Sequence, residues 1–116
     1  MNVITLDGYP GVGIARYESK GATFARIADL DAQSGVSVIR LSPHGVLGLH
    51  PARTPQLMVV IQGEGHVRGE DPASIDVRPG VAIRWNAGEQ NETRAGDSGL
   101  VLLILEADDH MLGFQH

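Results

Sequence analysis

Leu57-Met58-Val59-Val60-Ile61-Gln62, then Gly63-Glu64-Gly65, then His66-Val67-Arg68 is the stretch that decides the architecture of this 116-residue chain. The first run is brief, rich in aliphatic and β-branched residues and bounded by glycine, so it reads as a strand. It is apolar on both of its faces, and a strand of that kind is covered on both sides. One cover would be a barrel interior. The other would be a second sheet or a second subunit, and a homodimer is expected on this ground. Gly63-Glu64-Gly65 offers backbone positions where φ > 0 is free of steric cost, which predicts a tight hairpin into Gly65–Arg68.

Outward from this stretch, similar short runs recur between Gly, Pro, Asp and Asn. Strands are predicted at Thr23–Ile27, Val36–Leu41, Leu47–His50, Leu57–Gln62, Gly65–Arg68, Ala73–Val77, Val81–Trp85, Asn91–Ala95 and Leu100–Glu106. Arg78-Pro79-Gly80 suits a type II turn, with Pro presetting φ and Gly accepting φ > 0. Asp97-Ser98-Gly99 reads as a turn between two strands. Helix is nearly absent, and the fold class is all-β, a sandwich or barrel. The length supports one domain over residues 1–116, with a core at about 23–106 and short extensions at both ends.

Fifteen glycines and six prolines against two Phe, two Tyr and one Trp describe a turn-rich chain with an aliphatic interior. The net charge is −5 and no segment concentrates Lys or Arg, so a nucleic-acid partner is not expected. There is no cysteine, which excludes disulfides, thiolate ligands and a Cys nucleophile. Leu100 to Leu105 is far too short to span a bilayer, and Met1 to Pro10 lacks the pattern of a secretory signal. No membrane association and a cytoplasmic location are the expectations.

Two segments carry a resemblance. The first is Gly45-Val46-Leu47-Gly48-Leu49-His50, continuing to Gln56 and Gly63. The second is Gly80, then Asn86-Ala87-Gly88-Glu89-Gln90-Asn91 and Glu92-Thr93-Arg94. Together they resemble the paired motifs of the cupin superfamily, in particular its small single-domain members of the cupin 2 type. The resemblance spans about Val36 to Glu106 and implies a cupin or jelly-roll β-barrel, a double-stranded β-helix. In the family, His, His, Glu and His stand at the metal-binding positions aligned with Gly48, His50, Gln56 and Asn91. Only His50 keeps a strong ligand here. The fold hosts isomerases, dioxygenases, decarboxylases, sugar binders and storage proteins alike, so it does not dictate an activity.

A transition metal in such a pocket needs three or four imidazole or carboxylate ligands. His50 with the amides of Gln56 and Asn91 supplies one imidazole and no negative charge. No tightly held cofactor is expected; the alternative is a divalent transition metal on His50, Gln56 and Asn91, rescued by Glu89 or Glu92. On its own, His50 reads as a half-buried ring hydrogen-bonded to a backbone carbonyl or to Gln56. Period-two alternation sends Gln56, Met58, Val60, Asn91 and Thr93 to one face, the barrel interior. Trp85, beside Ile83, either lines the mouth of the barrel or packs in its core. His44 and His66 read as a turn residue and an outward strand residue, and Glu64 and Glu70 as solvated turn charges. Neither His110 and His116 nor Asp108 and Asp109 show a spacing that implies a site.

Two functional readings follow. In the first, the barrel binds a small polar molecule without a tightly held metal, through His50, Gln56 and Asn91 between Met58, Val60, Trp85 and Thr93. The alternative is an isomerase, epimerase or dioxygenase-like enzyme with His50 as base or metal ligand.

Overall fold

The computed structural model describes residues 1–31, 34–108 and 112; Asp109, His110 and His116 lie outside the described residues. The order of elements is a 3-10 turn η1 (Leu6–Gly8), then β1 (Val12–Gly13), β2 (Lys20–Asp31), β3 (Ser34–Pro51), β4 (Gln56–Arg68), β5 (Ser74–Val77), β6 (Ala82–Trp85) and β7 (Gln90–Glu106). All pairings are antiparallel, in the order β1-β2-β3-β7-β4-β5, with β6 also paired to β4. The all-β reading holds. No α-helix occurs among the described residues.

Six of the predicted strands are halves of three longer ones. Val36–Leu41 and Leu47–His50 both belong to β3, Leu57–Gln62 and Gly65–Arg68 to β4, and Asn91–Ala95 and Leu100–Glu106 to β7. The expected hairpin at Gly63-Glu64-Gly65 is therefore a bend within β4, and Asp97-Ser98-Gly99 is a bend within β7. Both strands keep the same partner through the corner, Gly63 pairing with Leu100 and Gly65 with Ala95, with a register shift between. β3 turns at the same level, where its pairing passes from Leu41↔Leu100 to Val46↔Arg94 and His44 takes φ 61.

The glycines do punctuate the chain, but as bends within a strand and not as chain reversals. Gly63 has φ +87, and a Cβ there would sit 2.1 Å from the Gly99 carbonyl oxygen. Their freedom lets two strands bend together in contact; it does not reverse the chain. Glu64 ties the corner: its Oε1 accepts the Ser98 amide at 3.2 Å and the Ser98 hydroxyl at 2.9 Å. Those bonds, the hydroxyl first, hold its carboxyl below the usual value. His44 Nε2 lies 3.0 Å from Asp97 Oδ1 across the same corner.

The bends divide each long strand between two half-sheets. One joins β2, β6 and residues 34–41, 56–62 and 100–106; the other joins β5 and residues 46–51, 65–68 and 90–95. They close on a single core that takes Ile39, Met58 and Leu102 from the first and Leu47, Val67 and Val77 from the second. This is the barrel. The Arg78–Val81 turn forms as read, with Val81 N–H donating to the Arg78 carbonyl at 3.0 Å and Gly80 at φ +95.

The N-terminal extension lies against this body. Arg40 donates to the carbonyls of Tyr9 at 2.9 Å and Leu6 at 2.8 Å, and β1 adds a short edge to β2.

Candidate functional site

The two motif segments meet at one end of the barrel. His50 and Asn91 are cross-strand partners on β3 and β7. Beyond them the Asn86–Glu89 turn is laced to the end of β3, since Gly88 N–H donates to the Ala52 carbonyl at 2.7 Å and Ala52 N–H to the Glu89 carbonyl at 2.9 Å. Gly88 at φ +82 permits that tight turn. The paired-motif spacing thus brings the segments together.

What the motif side chains do there differs from ligand duty. Asn91 is buried, and its Nδ2 donates to the carbonyls of His50 at 3.2 Å and Glu89 at 3.3 Å. The amide is a strap between motifs. Gln56 Nε2 donates to Glu106 Oε2 at 3.4 Å, and the Thr54 hydroxyl donates to the same oxygen at 3.3 Å. His50 is half-buried, with Nδ1 hydrogen-bonded to the Gly48 carbonyl at 2.7 Å. That matches the backbone-carbonyl alternative read from the sequence.

Gly48 is occupied in another sense. A Cβ there would lie 1.6 Å from the Tyr17 carbonyl oxygen, because the Arg16–Ser19 turn rests on this part of β3. Gly48 N–H donates to the Ser19 hydroxyl oxygen at 3.0 Å, and the Tyr17 ring stacks on the His50 ring with centroids 4.8 Å apart and planes 22° apart. Tyr17 and Glu18 adopt φ 60 and φ 56. For side-chain-bearing residues each such conformation costs roughly 1–2 kcal/mol, and the Ser19-to-Arg16 backbone bond of 3.0 Å closes the turn. Nothing in the spacing announced Tyr17: the turn carries no Gly, Asn or Asp.

Met58, Val60 and Thr93 are placed as alternation predicted, Gln56 is only half-buried, and Trp85 takes the core-packing alternative. Met58, Val60 and Trp85 belong to the core cluster, and Thr93 is fully buried with its hydroxyl 3.9 Å from the Met58 sulfur. Trp85 pairs across strands with Gln56. Its indole Nε1 is buried with no hydrogen-bond partner, a state that costs about 1–3 kcal/mol when left unfilled.

On the second half-sheet, Glu92 is buried between two arginines that sequence reading did not connect to it. Arg68 approaches through Nε at 3.2 Å and Arg94 through Nε at 2.9 Å. Burial alone would raise the Glu92 carboxyl; the hydrogen bonds and charges of Arg94 and Arg68 outweigh it and leave the group below its ordinary value. A groove of about 300 Å³ opens beside this triad, bordered by Tyr17 and Gly48. A larger cavity of about 910 Å³ lies where the N-terminal segment crosses the corner, between Asp7, Ile14, Arg40 and Leu100. None of the seven motif and core residues predicted for the site borders either space.

The donor set does not fit a metal centre. Gly48 has no side chain, Asn91 turns N–H donors toward carbonyls, and one nitrogen of His50 is engaged. Glu89 accepts the Asn86 amide at 2.9 Å and Glu92 is held by arginines, so neither supplies the missing charge. Among the described residues no group of three or more His, Asp or Glu could share a metal ion.

Solved structures share this architecture. The polyketide cyclase RemF from Streptomyces resistomycificus superposes with a TM-score of 0.79 at 17% identity, over 91% of this chain and 78% of that one. A conserved protein with a double-stranded β-helix domain from Klebsiella pneumoniae gives 0.73 at 15% identity, covering 92% and 90%. A cupin-2 domain from Rhodospirillum rubrum also gives 0.73 at 15% identity, covering 92% and 75%. The sequence matches no protein-family model and no curated protein. At these identities the likeness is one of fold, the double-stranded β-helix.

Proposed function

We propose that this chain, which has the cupin fold, is a binding module that takes a small polar molecule at the motif end of its barrel without a tightly held metal. The observation that carries the reading is the Trp85 indole N–H, buried and unpartnered on the strand opposite Gln56. A buried donor of this kind is satisfied by an acceptor brought from outside, a carbonyl, carboxylate or hydroxyl oxygen. Gln56 and His50 offer further polar contacts at this end, and Met58, Val60 and Thr93 are buried in the core. The donor chemistry of Gly48, Gln56 and Asn91 supports the metal-free part of the reading.

Trp85 is the single tryptophan of the chain, so its emission reports on the site directly. A thermal-shift panel of small hydroxy acids, oxo acids and sugars is expected to yield a stabiliser that also shifts Trp85 emission. Trp85→Phe should lose about 1–3 kcal/mol of the binding energy by removing the donor. A ligand that stabilises wild type and Trp85→Phe equally binds elsewhere, and stoichiometric Fe, Mn, Ni or Zn in untagged protein would overturn the metal-free reading.

A homodimer in the cytoplasm belongs to the same proposal. Its support is the outward side of β4, where Leu57 and Val59 are only half-buried and Ile61 is 41% exposed. No helix among the described residues is long and apolar enough to cross a membrane.

A further inference from the structure

Among the described residues, the Arg16–Ser19 turn alone places two consecutive side-chain-bearing residues at positive φ, and core packing does not account for it. Tyr17 is 39% exposed and stands outside the core cluster. Its ring meets two partners: the Arg16 guanidinium 5.0 Å from its centroid and the His50 imidazole at 4.8 Å. Three separate features seat the turn at this spot. The Ser19 hydroxyl accepts the Gly48 amide, residue 48 lacks the Cβ that would strike the Tyr17 carbonyl, and two consecutive side-chain-bearing residues adopt left-handed backbone. Stacking one aromatic on an imidazole is the consequence they have in common.

The bond between His50 Nδ1 and the Gly48 carbonyl, 2.7 Å long, settles which nitrogen carries the proton. A carbonyl oxygen only accepts, so Nδ1 is the donor. In the neutral ring Nε2 then holds a lone pair. A half-turn about χ2 would break the hydrogen bond and keep the ring plane, so the Gly48 carbonyl fixes which edge faces it while the 22° stack on Tyr17 resists partial rotation out of that plane.

We infer that the Arg16–Ser19 turn is a positioning device for His50: Tyr17 and the Gly48 carbonyl hold the imidazole so that Nε2 is kept as an acceptor for a hydroxyl or amide N–H of a bound molecule. Tyr17 is a positioning residue; it acts through His50. The ligand half of this statement rests on the binding reading above, whereas the ring's fixed tautomer is a property of the free chain. The turn also gives Gly48 a reason: the position aligned with a lost metal ligand has become the seat of a backbone segment.

The test is the nitrogen NMR spectrum of His50 in the full-length 15N-labelled chain without ligand, assigned by its loss in His50→Gln. At alkaline pH, where an imidazole is neutral, wild type should show one form protonated at Nδ1. Tyr17→Phe keeps the ring and should keep the pattern. Tyr17→Gly relieves the left-handed backbone, so the turn persists while the stack is gone, and the two nitrogens should move toward averaged shifts. An averaged or Nε2-protonated ring in wild type would overturn the inference, as would an unchanged pattern in Tyr17→Gly or its loss in Tyr17→Phe. Failure of the panel to find a ligand, with the tautomer pattern as described, would count against the binding reading alone.

Discussion

Gly48 illustrates how a residue with no side chain can be held as firmly as a ligand. With the Tyr17 carbonyl oxygen 1.6 Å from its virtual Cβ, Gly48→Ala must displace the turn or the strand. It should cost about 1–3 kcal/mol, as overpacking does, read as a lower urea midpoint at unchanged slope. An unaltered midpoint would mean that the turn does not rest there. Glu92 gives a pH prediction. Its folded carboxyl lies below the ordinary value, so the stability of its ionised form is complete above pH 4.5 and is lost as pH falls through the lowered value. Glu92→Gln should flatten the acid limb of the melting temperature below about pH 4.5; a limb as steep as wild type would assign acid loss to other carboxylates. His50 and Asn91 were legible as neighbours because motif spacing encodes their register. Tyr17 was not, because residues 17 and 50 meet only after β2 and β3 have paired.

At the scale of elements, the same residues admit two outcomes that local chemistry does not separate. Gly63-Glu64-Gly65 satisfies the requirements of a hairpin and equally those of a shared bend. The bend wins because β7 supplies partners on both sides of it, Leu102 to Val60 before and Thr93 to Val67 after. Gly63→Ala should be among the most damaging single-methyl additions, about 2–4 kcal/mol by urea melting, since it combines φ +87 with a contact at 2.1 Å. Glu64→Ala, which removes an exposed carboxylate and its two hydrogen bonds from Ser98, should cost clearly less than Gly63→Ala; a loss as large as that of Gly63→Ala would place the bend under side-chain control. Arg78-Pro79-Gly80, by contrast, was readable outright, because no long-range partner competes for that turn.

For the molecule as a whole, the pairing of Gly35 with Glu106 shows how the barrel is made from distant segments. The outward apolar side of β4 predicts a dimer, to be seen as a single species of twice the chain mass in sedimentation velocity. Ile61→Lys should shift it toward monomer with the core intact; a monomer in wild type would remove the dimer from the proposal.

Alternation, glycine spacing and the paired motifs were enough to determine an all-β barrel and its interior residues Met58, Val60 and Thr93, because these depend on local periodicity and residue chemistry. Tertiary structure alone decided that Asn91 straps two motifs, that Gln56 leans on Glu106, that Glu92 sits between Arg68 and Arg94, and that Tyr17 covers His50. Each of these includes a contact between segments far apart in the chain, His50 with Asn91, Gln56 with Glu106, Arg68 with Glu92 and Tyr17 with His50, and its geometry is set by the closing of the sheet on itself.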